Sequence, residues 1–338
     1  MGTLADVATH AGVSEATVSR VLNDKPGVSE TNRKAVLTAL DVLGYERPSR
    51  LKRRSAGLVG LVVPELDNPI FPAFAQVIET VLAQKGYTPV LCTQTPGGIS
   101  EDEYVESLLD HGVAGIIFVS GRHADTEADH ERYRTLVERG LPVVFVNGYA
   151  PEIDAPFISD DDVEAMNLSV GHLVELGHTR IGLAVGQHRF VPVQRKTAGF
   201  TAALTRLLGL TEDEARGWVE ESLFSVEGGQ AAGRRLIERG ATAVICGSDM
   251  MALGVIRAAR QAGLEVPRQL SVIGYDDSPL VPFVDPPLTT IRQSVQAMGT
   301  AAVGALIEAI AGTPVPAHEY VHRPELVLRG STAAAPGD

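Results

Sequence analysis

Seven short apolar runs constrain this chain more than any other feature. They lie at 58–63, 89–93, 114–120, 142–147, 181–185, 243–246 and 271–275. Most are rich in Val and Ile and end in Gly, Ser, Asn or Asp, and stretches of helical length separate them. Strands that are apolar on both faces, alternating with helices, predict parallel sheets covered on both sides. The expected fold class is α/β. Such sheets bind ligands outside the carboxyl ends of their strands, so polar residues at those ends are the first candidates for a site.

The length, 338 residues, allows about two domains. With 44% hydrophobic and 21% charged residues, the chain can build substantial cores and is not a disordered segment. No run approaches the ~18 apolar residues of a membrane span. The start, Met1-Gly2-Thr3-Leu4-Ala5-Asp6, lacks the basic and apolar regions of a secretory signal, so a cytoplasmic protein with no membrane partner is expected. Cys92 and Cys246 lie in apolar runs and read as small buried hydrophobes.

The net charge of −13 argues against nucleic acid until its distribution is considered. Residues 1–56 carry nine Lys/Arg against six Asp/Glu, a net of +3, which leaves −16 on the rest. Arg47, Arg50, Lys52, Arg53 and Arg54 fall within eight residues. A basic head on an acidic body points to a nucleic-acid contact at one end.

Within that head, Thr3 and Asp6 form a capping box ahead of Val7, Ala8 and Ala11, and Gly12 supplies a turn. Ser14 caps a second helix to about Leu22. Ser29 caps a third, where Val36, Leu40 and Leu43 recur on one face before Gly44. Two short helices joined by a glycine-containing turn are a helix-turn-helix unit, whose second helix enters the major groove.

The blocks Thr3-Leu4-Ala5-Asp6-Val7-Ala8, Ala11-Gly12-Val13-Ser14 and Thr17-Val18-Ser19-Arg20-Val21-Leu22-Asn23 closely resemble the DNA-binding head of the LacI/GalR family of bacterial repressors. That resemblance implies base reading at Glu15 and Ala16, with Arg20 also facing the groove. The chemistry agrees: arginine can pair with guanine, glutamate can accept from cytosine, and alanine can touch a thymine methyl. Thr3, Ser14, Thr17, Ser19 and Asn23 are expected to position the backbone. The family's hinge helix corresponds to 47–57, with Arg50, Arg53 and Arg54 on phosphates. Its minor-groove wedge falls at Leu51 counting back from Gly60, or at Ser55 counting forward from Pro48. Leu51 is the apolar choice.

The body carries the resemblance onward in Gly60-Leu61-Val62-Val63-Pro64, Asn68-Pro69-Ile70-Phe71, Ser248-Asp249-Met250-Met251-Ala252-Leu253-Gly254 and Ile273-Gly274-Tyr275-Asp276. It implies a two-lobed body like periplasmic sugar-binding proteins. The expected first lobe is 58–159 plus 291–318 and the second is 160–290 plus 319–332, with a frayed tail at 333–338. Family effector positions map to Ile70, Phe71, Asp161, Phe190, Pro192, Lys196, Phe224, Ser248 and Asp276. Arg195 stands beside Lys196, and either could reach the cleft. Carboxylates, a cation and phenyl faces suit a sugar. His123 and His130, in a charged stretch, read as solvated surface, and His172 and His178 as structure.

Nucleotide-loop, zincin and nucleophile-elbow motifs are missing, so neither an enzyme nor a bound cofactor or metal is expected. The competing reading is a solute-binding protein or sugar-modifying enzyme on the same body. The expected protein is a cytoplasmic repressor, binding a pseudo-palindromic operator as a homodimer and released by a small sugar. Corepression by the ligand is the alternative sign.

Overall fold

The structure, a computed structural model, describes residues 3–22, 25–45, 56–94 and 97–337. The chain divides into two compact units, Met1–Ser55 and Ala56–Asp338.

In the first unit, α1 (Leu4–Ala11) starts at Thr3, whose hydroxyl accepts the Asp6 N–H while the Asp6 carboxylate accepts the Thr3 N–H. Gly12 ends it with φ 66°, a left-handed conformation that costs glycine nothing. α2 (Glu15–Leu22) begins where Ser14 Oγ accepts the Thr17 N–H at 3.2 Å. α3 (Glu30–Val42) begins at Ser29, which accepts the Asn32 N–H. Each helix contributes a fully buried valine, Val7, Val18 and Val36, to one small core. The capping residues and inward face follow the sequence reading.

The second unit holds two six-stranded sheets. The first runs β11 (Glu319–His322), β5 (Phe157–Asp160), β4 (Val143–Val146), β3 (Gly115–Val119), β1 (Leu58–Val63), β2 (Thr88–Thr93), all parallel. On one face, α4 (Ile70–Gln84) and α12 (Val295–Ile310) pack Phe74, Ile78, Val303 and Leu306. On the other, α5 (Glu101–Asp110) and α6 (Glu131–Glu138), the latter through Tyr133, cover Phe118 and Phe145.

The second sheet runs β12 (Glu325–Val327), β10 (Thr289–Arg292), β9 (Ser271–Asp276), β8 (Ala243–Cys246), β6 (Ile181–Val185), β7 (Val219–Glu221), parallel except for β12 against β10. α7 (Asp162–Glu175), α8 (Val191–Leu208) and the short α9 (Glu212–Arg216) cover one face. α10 (Val226–Glu238) and α11 (Asp249–Gln261) cover the other. Burial on both faces explains why the central strands are apolar without alternation. Cys92 and Cys246 are buried as expected. Among the described residues, no helix is long and apolar enough to cross a membrane.

The chain crosses between the sheets after β5, β10 and β11. These crossings correct the expected lobe boundaries. Ile291 and Arg292 stay in the second sheet, paired with Tyr275 and Asp276. Residues 319–322 join the first, where β11 pairs with β5 from Glu319↔Phe157 to His322↔Asp160. β11 is half-exposed and carries no apolar run, so only the free edge of β5 reveals its place. The tail reading is also corrected: the Ala335 N–H donates to Leu176 O at 2.8 Å and the Ala333 N–H to Ser271 Oγ at 3.1 Å, which docks residues 333–335 on the second lobe.

Candidate functional site

The head presents one face of α2. Val18, Val21 and Leu22 turn inward, so Ser14, Glu15, Ala16, Ser19 and Arg20 are exposed and Thr17 is half-buried. Ser14 Oγ and Thr17 Oγ1 lie 2.9 Å apart. Thr3 is engaged in its capping box. Asn23, Arg50, Leu51, Arg53 and Arg54 lie outside the described residues, as does Ser55.

In the body, a cleft of about 370 Å³ lies between the two lobes, a volume within the usual range for small ligands. Its walls come from the carboxyl ends of strands in both sheets, including Pro64, Gln94, Ser120, Asn147, Ser248 and Asp276. Among the described residues, the non-glycine residues at positive φ are Ser120 (47°), Asn147 (60°), Asp276 (116°) and Asp277 (55°). The first three line the cleft. Strained backbone held by a packed sheet is a mark of a functional site.

Eight of the ten effector positions taken from the sequence line this cleft: Ile70, Phe71, Phe190, Pro192, Lys196, Phe224, Ser248 and Asp276. The three phenylalanines also pack on the lobe cores and stay half-buried, so core packing and cleft lining are both true of them. Phe224 rests against the strand ends, because a Cβ at Gly186 would sit 1.9 Å from its ring. Ser248 is almost fully buried, and its Oγ accepts the Met251 N–H at 3.2 Å to cap α11.

Two positions are corrected. Asp161 caps α7, its Oδ1 accepting the Glu164 N–H at 2.9 Å, and the next residue, Asp162, faces the cleft instead. Arg195 turns away and grips Glu319 with two bonds, 2.6 and 2.9 Å. Successive helix residues are about 100° apart, so Arg195 and Lys196 do not share a direction, and Lys196 is the one in the cleft.

Lys196 Nζ is ion-paired with Asp162 and sits 3.9 Å from the Tyr275 ring centroid. The Tyr275 hydroxyl lies 2.9 Å from both Asp160 Oδ2 and Asp162 Oδ1. Gln293 Nε2 donates to Asp276 Oδ1 at 2.7 Å. Burial, and then the charge of Asp249, hold the Asp276 carboxyl well above the usual carboxylate range. Burial likewise pushes Asp249 up to about 6. A neutral Asp276 donates as well as accepts, which suits hydroxyl partners.

Sequence reasoning missed Asp162, Tyr275, Asn147, Ser120, Gln293 and the 122–126 segment. Asn147 and Ser120 close two of the apolar runs, which was a usable signal. The 122–126 segment had none, because its support is tertiary. Glu101, buried at the start of α5, accepts Gln94 Nε2 at 2.8 Å and the Arg122 N–H at 3.3 Å. His123 is fully buried beside Phe145 and Tyr133, not solvated. Its Nε2 lies 2.6 Å from Asn147 O, so that nitrogen carries the hydrogen, and burial pushes its pKa down to about 4. His130 is buried too, 2.6 Å from Glu152. Rings stacked under a charged loop produced the wrong surface reading. His178, between Thr242, Ser271 and Ala333, and His172 against Thr332 are structural, as read.

The same segment clasps the second lobe. The Thr126 N–H and hydroxyl both donate to Arg189 O at 2.8 Å, Asp125 bridges Phe190 backbone to backbone, and Arg189 Nε lies 3.5 Å from Asp125.

Residues 3–48 match the model of bacterial regulatory proteins of the lacI family, and residues 170–332 match a periplasmic binding protein-like domain. The chain is 64% identical over 337 residues to the HTH-type transcriptional regulator reg1 of Streptomyces lividans, covering 99% of this chain and 98% of that one. Among solved structures it is similar to the transcriptional regulator CelR–cellobiose complex (TM-score 0.72, 29% identity, 98% of this chain and 100% of that one). It is also similar to the lac repressor dimer bound to operator and the anti-inducer ONPF (TM-score 0.71, 28% identity, 98% and 99%).

Proposed function

The chain belongs to the LacI family of bacterial regulatory proteins and is a DNA-binding transcriptional regulator, and on that premise we propose that it is a homodimeric repressor released from its operator by a small neutral sugar. The observation that carries the ligand class is the charge balance of the cleft. Its cations are already matched: Lys196 by Asp162, Arg189 by Asp125 at 3.5 Å, and Arg122 by Asp102 at 3.5 Å. A phosphate would have to break one of these pairs. An uncharged polyol would not, and it could use Asp276, Asn147 and Gln293 as hydroxyl partners while its apolar faces lie on Phe71, Phe190 or Phe224. The cellobiose bound by CelR is a ligand of this kind.

For DNA, Glu15, Ala16 and Arg20 read base edges, and Ser14, Thr17 and Ser19 set the register. A single helix reads only a few base pairs, so two heads on a two-fold axis read a pseudo-palindrome. The ligand acts only through different affinities for the DNA-competent and DNA-incompetent states.

The test is a thermal-shift screen of neutral sugars, sugar phosphates and nucleobases on the full chain, then operator titration with each hit. A neutral sugar should raise the melting temperature and weaken operator binding. Asp276→Ala should lose the shift and keep operator affinity. A response confined to phosphates or nucleobases overturns the ligand class. A sugar that tightens operator binding overturns release.

A further inference from the structure

The hydrogen-bond pattern at the pivot between the lobes leaves one proton unaccounted for. Asp160 ends β5 in the first lobe, and Tyr275 lies on β9 in the second. The Tyr275 oxygen is 2.9 Å from Asp160 Oδ2 and 2.9 Å from Asp162 Oδ1, yet a phenol has one hydrogen to donate. Two carboxylates and a phenol can make both bonds only if one carboxyl brings its own proton. Asp162 is the counter-ion of Lys196. Among the described residues, Asp160 has no cation in hydrogen-bond contact and its buried Oδ1 has no partner, an arrangement that disfavours a charge.

We infer that Asp160 is a protonated pin between the lobes: its Oδ2–H donates to the Tyr275 oxygen, the Tyr275 O–H donates to Asp162, and loss of the Asp160 proton loosens closure of the cleft. This holds whatever ligand the cleft takes, so it stands apart from the sugar reading. The groups facing Asp160 are Asp161 and Asp162 from the start of α7, Lys196 from α8, Tyr275 from β9 and His322, its neighbour on β11. The two aspartates oppose ionisation and Lys196 favours it. Burial exceeds both and pushes the Asp160 carboxyl up to about 7, while Tyr275, raised by burial and the same aspartates, keeps its own proton. Once Asp160 ionises, two anions compete for one phenol hydrogen across the pivot. Because the folded chain holds this proton more tightly than the unfolded chain does, its contribution to stability falls as pH rises from the ordinary carboxylate range to about 7, and is level above that.

Full-length wild type and Asp160→Asn are melted from about pH 5 to about pH 8.5. Asparagine keeps a donor toward Tyr275 but cannot ionise. The expected result is a melting difference between the two that changes up to about pH 7 and is flat above it, the wild type losing stability relative to the variant. Parallel curves overturn the inference. If the asparagine variant does not fold, Asp160→Ser, which also keeps a hydroxyl donor, gives the same reading. Lobe closure is read separately by spin labels at Glu106→Cys on α5 and Arg257→Cys on α11, both exposed, with the native cysteines buried. Wild type should gain a longer distance at the high end of the pH range and Asp160→Asn should not. A wild-type distance that ignores pH overturns the pin.

Discussion

The head and the cleft solve recognition in opposite ways. On the head, the candidate reading residues Glu15, Ala16 and Arg20 are exposed, and the core beneath them rests on Val7, Val18 and Val36. In the cleft, Lys196, Asp276 and Ser248 are themselves buried, and the side-chain partners of the first two, Asp162 and Gln293, come from other parts of the chain. Reading and folding are therefore separable on the head and inseparable in the cleft. A reading helix can change its contacts without touching its core, whereas a cleft residue cannot change without leaving a buried partner unmatched.

The sharpest way to break this contrast is Lys196→Met. It leaves Asp162 buried without its cation and should cost on the order of 3–5 kcal/mol in urea unfolding of the body. Arg195→Met, one residue earlier but paired with a partly exposed Glu319, should cost about 1 kcal/mol or less. Equal effects would mean that the cleft is not special. Next in size, Val36→Ala removes a fully buried side chain from a core of few residues and should destabilise the head by about 2 kcal/mol. Hydrogen exchange of head amides should rise while the melting temperature of the body holds. A joint shift would show that the two units unfold together.

Exchanging the residues at Glu15 and Ala16 tests reading alone. The preference among half-sites should change by about 1–3 kcal/mol per base contact, with the melting temperature unmoved. Uniform weakening at every site would displace the register assigned to α2. On the head, the smallest effect expected is for Ser14→Ala, where a lost helix cap should cost about 1 kcal/mol. Because Ser14, like Thr3, is both a helix cap and a candidate backbone positioner, its substitution should move stability and operator affinity together.

Legibility follows the same division. Helix starts at Thr3, Ser14 and Ser29 and the turn at Gly12 were readable because caps and turns act over three or four residues. β1 to β4, β6, β8 and β9 were readable because burial leaves an apolar run, whereas β5, β7 and β10, each with polar residues, gave no such run. β11 and β12 were not, since an edge strand with little burial has no pattern of its own. The cleft was half legible. Asp276 and Ser248 follow strand ends, where parallel sheets place their ligands. Asp161 and Asp162 are neighbours of the same type, and nothing local separates the cap from the residue facing the cleft. The same holds for Arg195 and Lys196, where the phase of α8 against the first lobe assigns one to Glu319 and the other to Asp162.

By itself, then, the sequence determined the α/β class, the helical head and the family, because each is written in short-range patterns or in long blocks of matching residues. Tertiary structure alone decided which of two adjacent charges enters the cleft, that His123 and His130 are buried, and that Asp160, Asp162 and Tyr275 share one site. Those outcomes depend on helix phase and on three crossings between sheets, which bring together residues more than a hundred positions apart. A distance of that kind leaves no trace in the spacing of side chains along the chain.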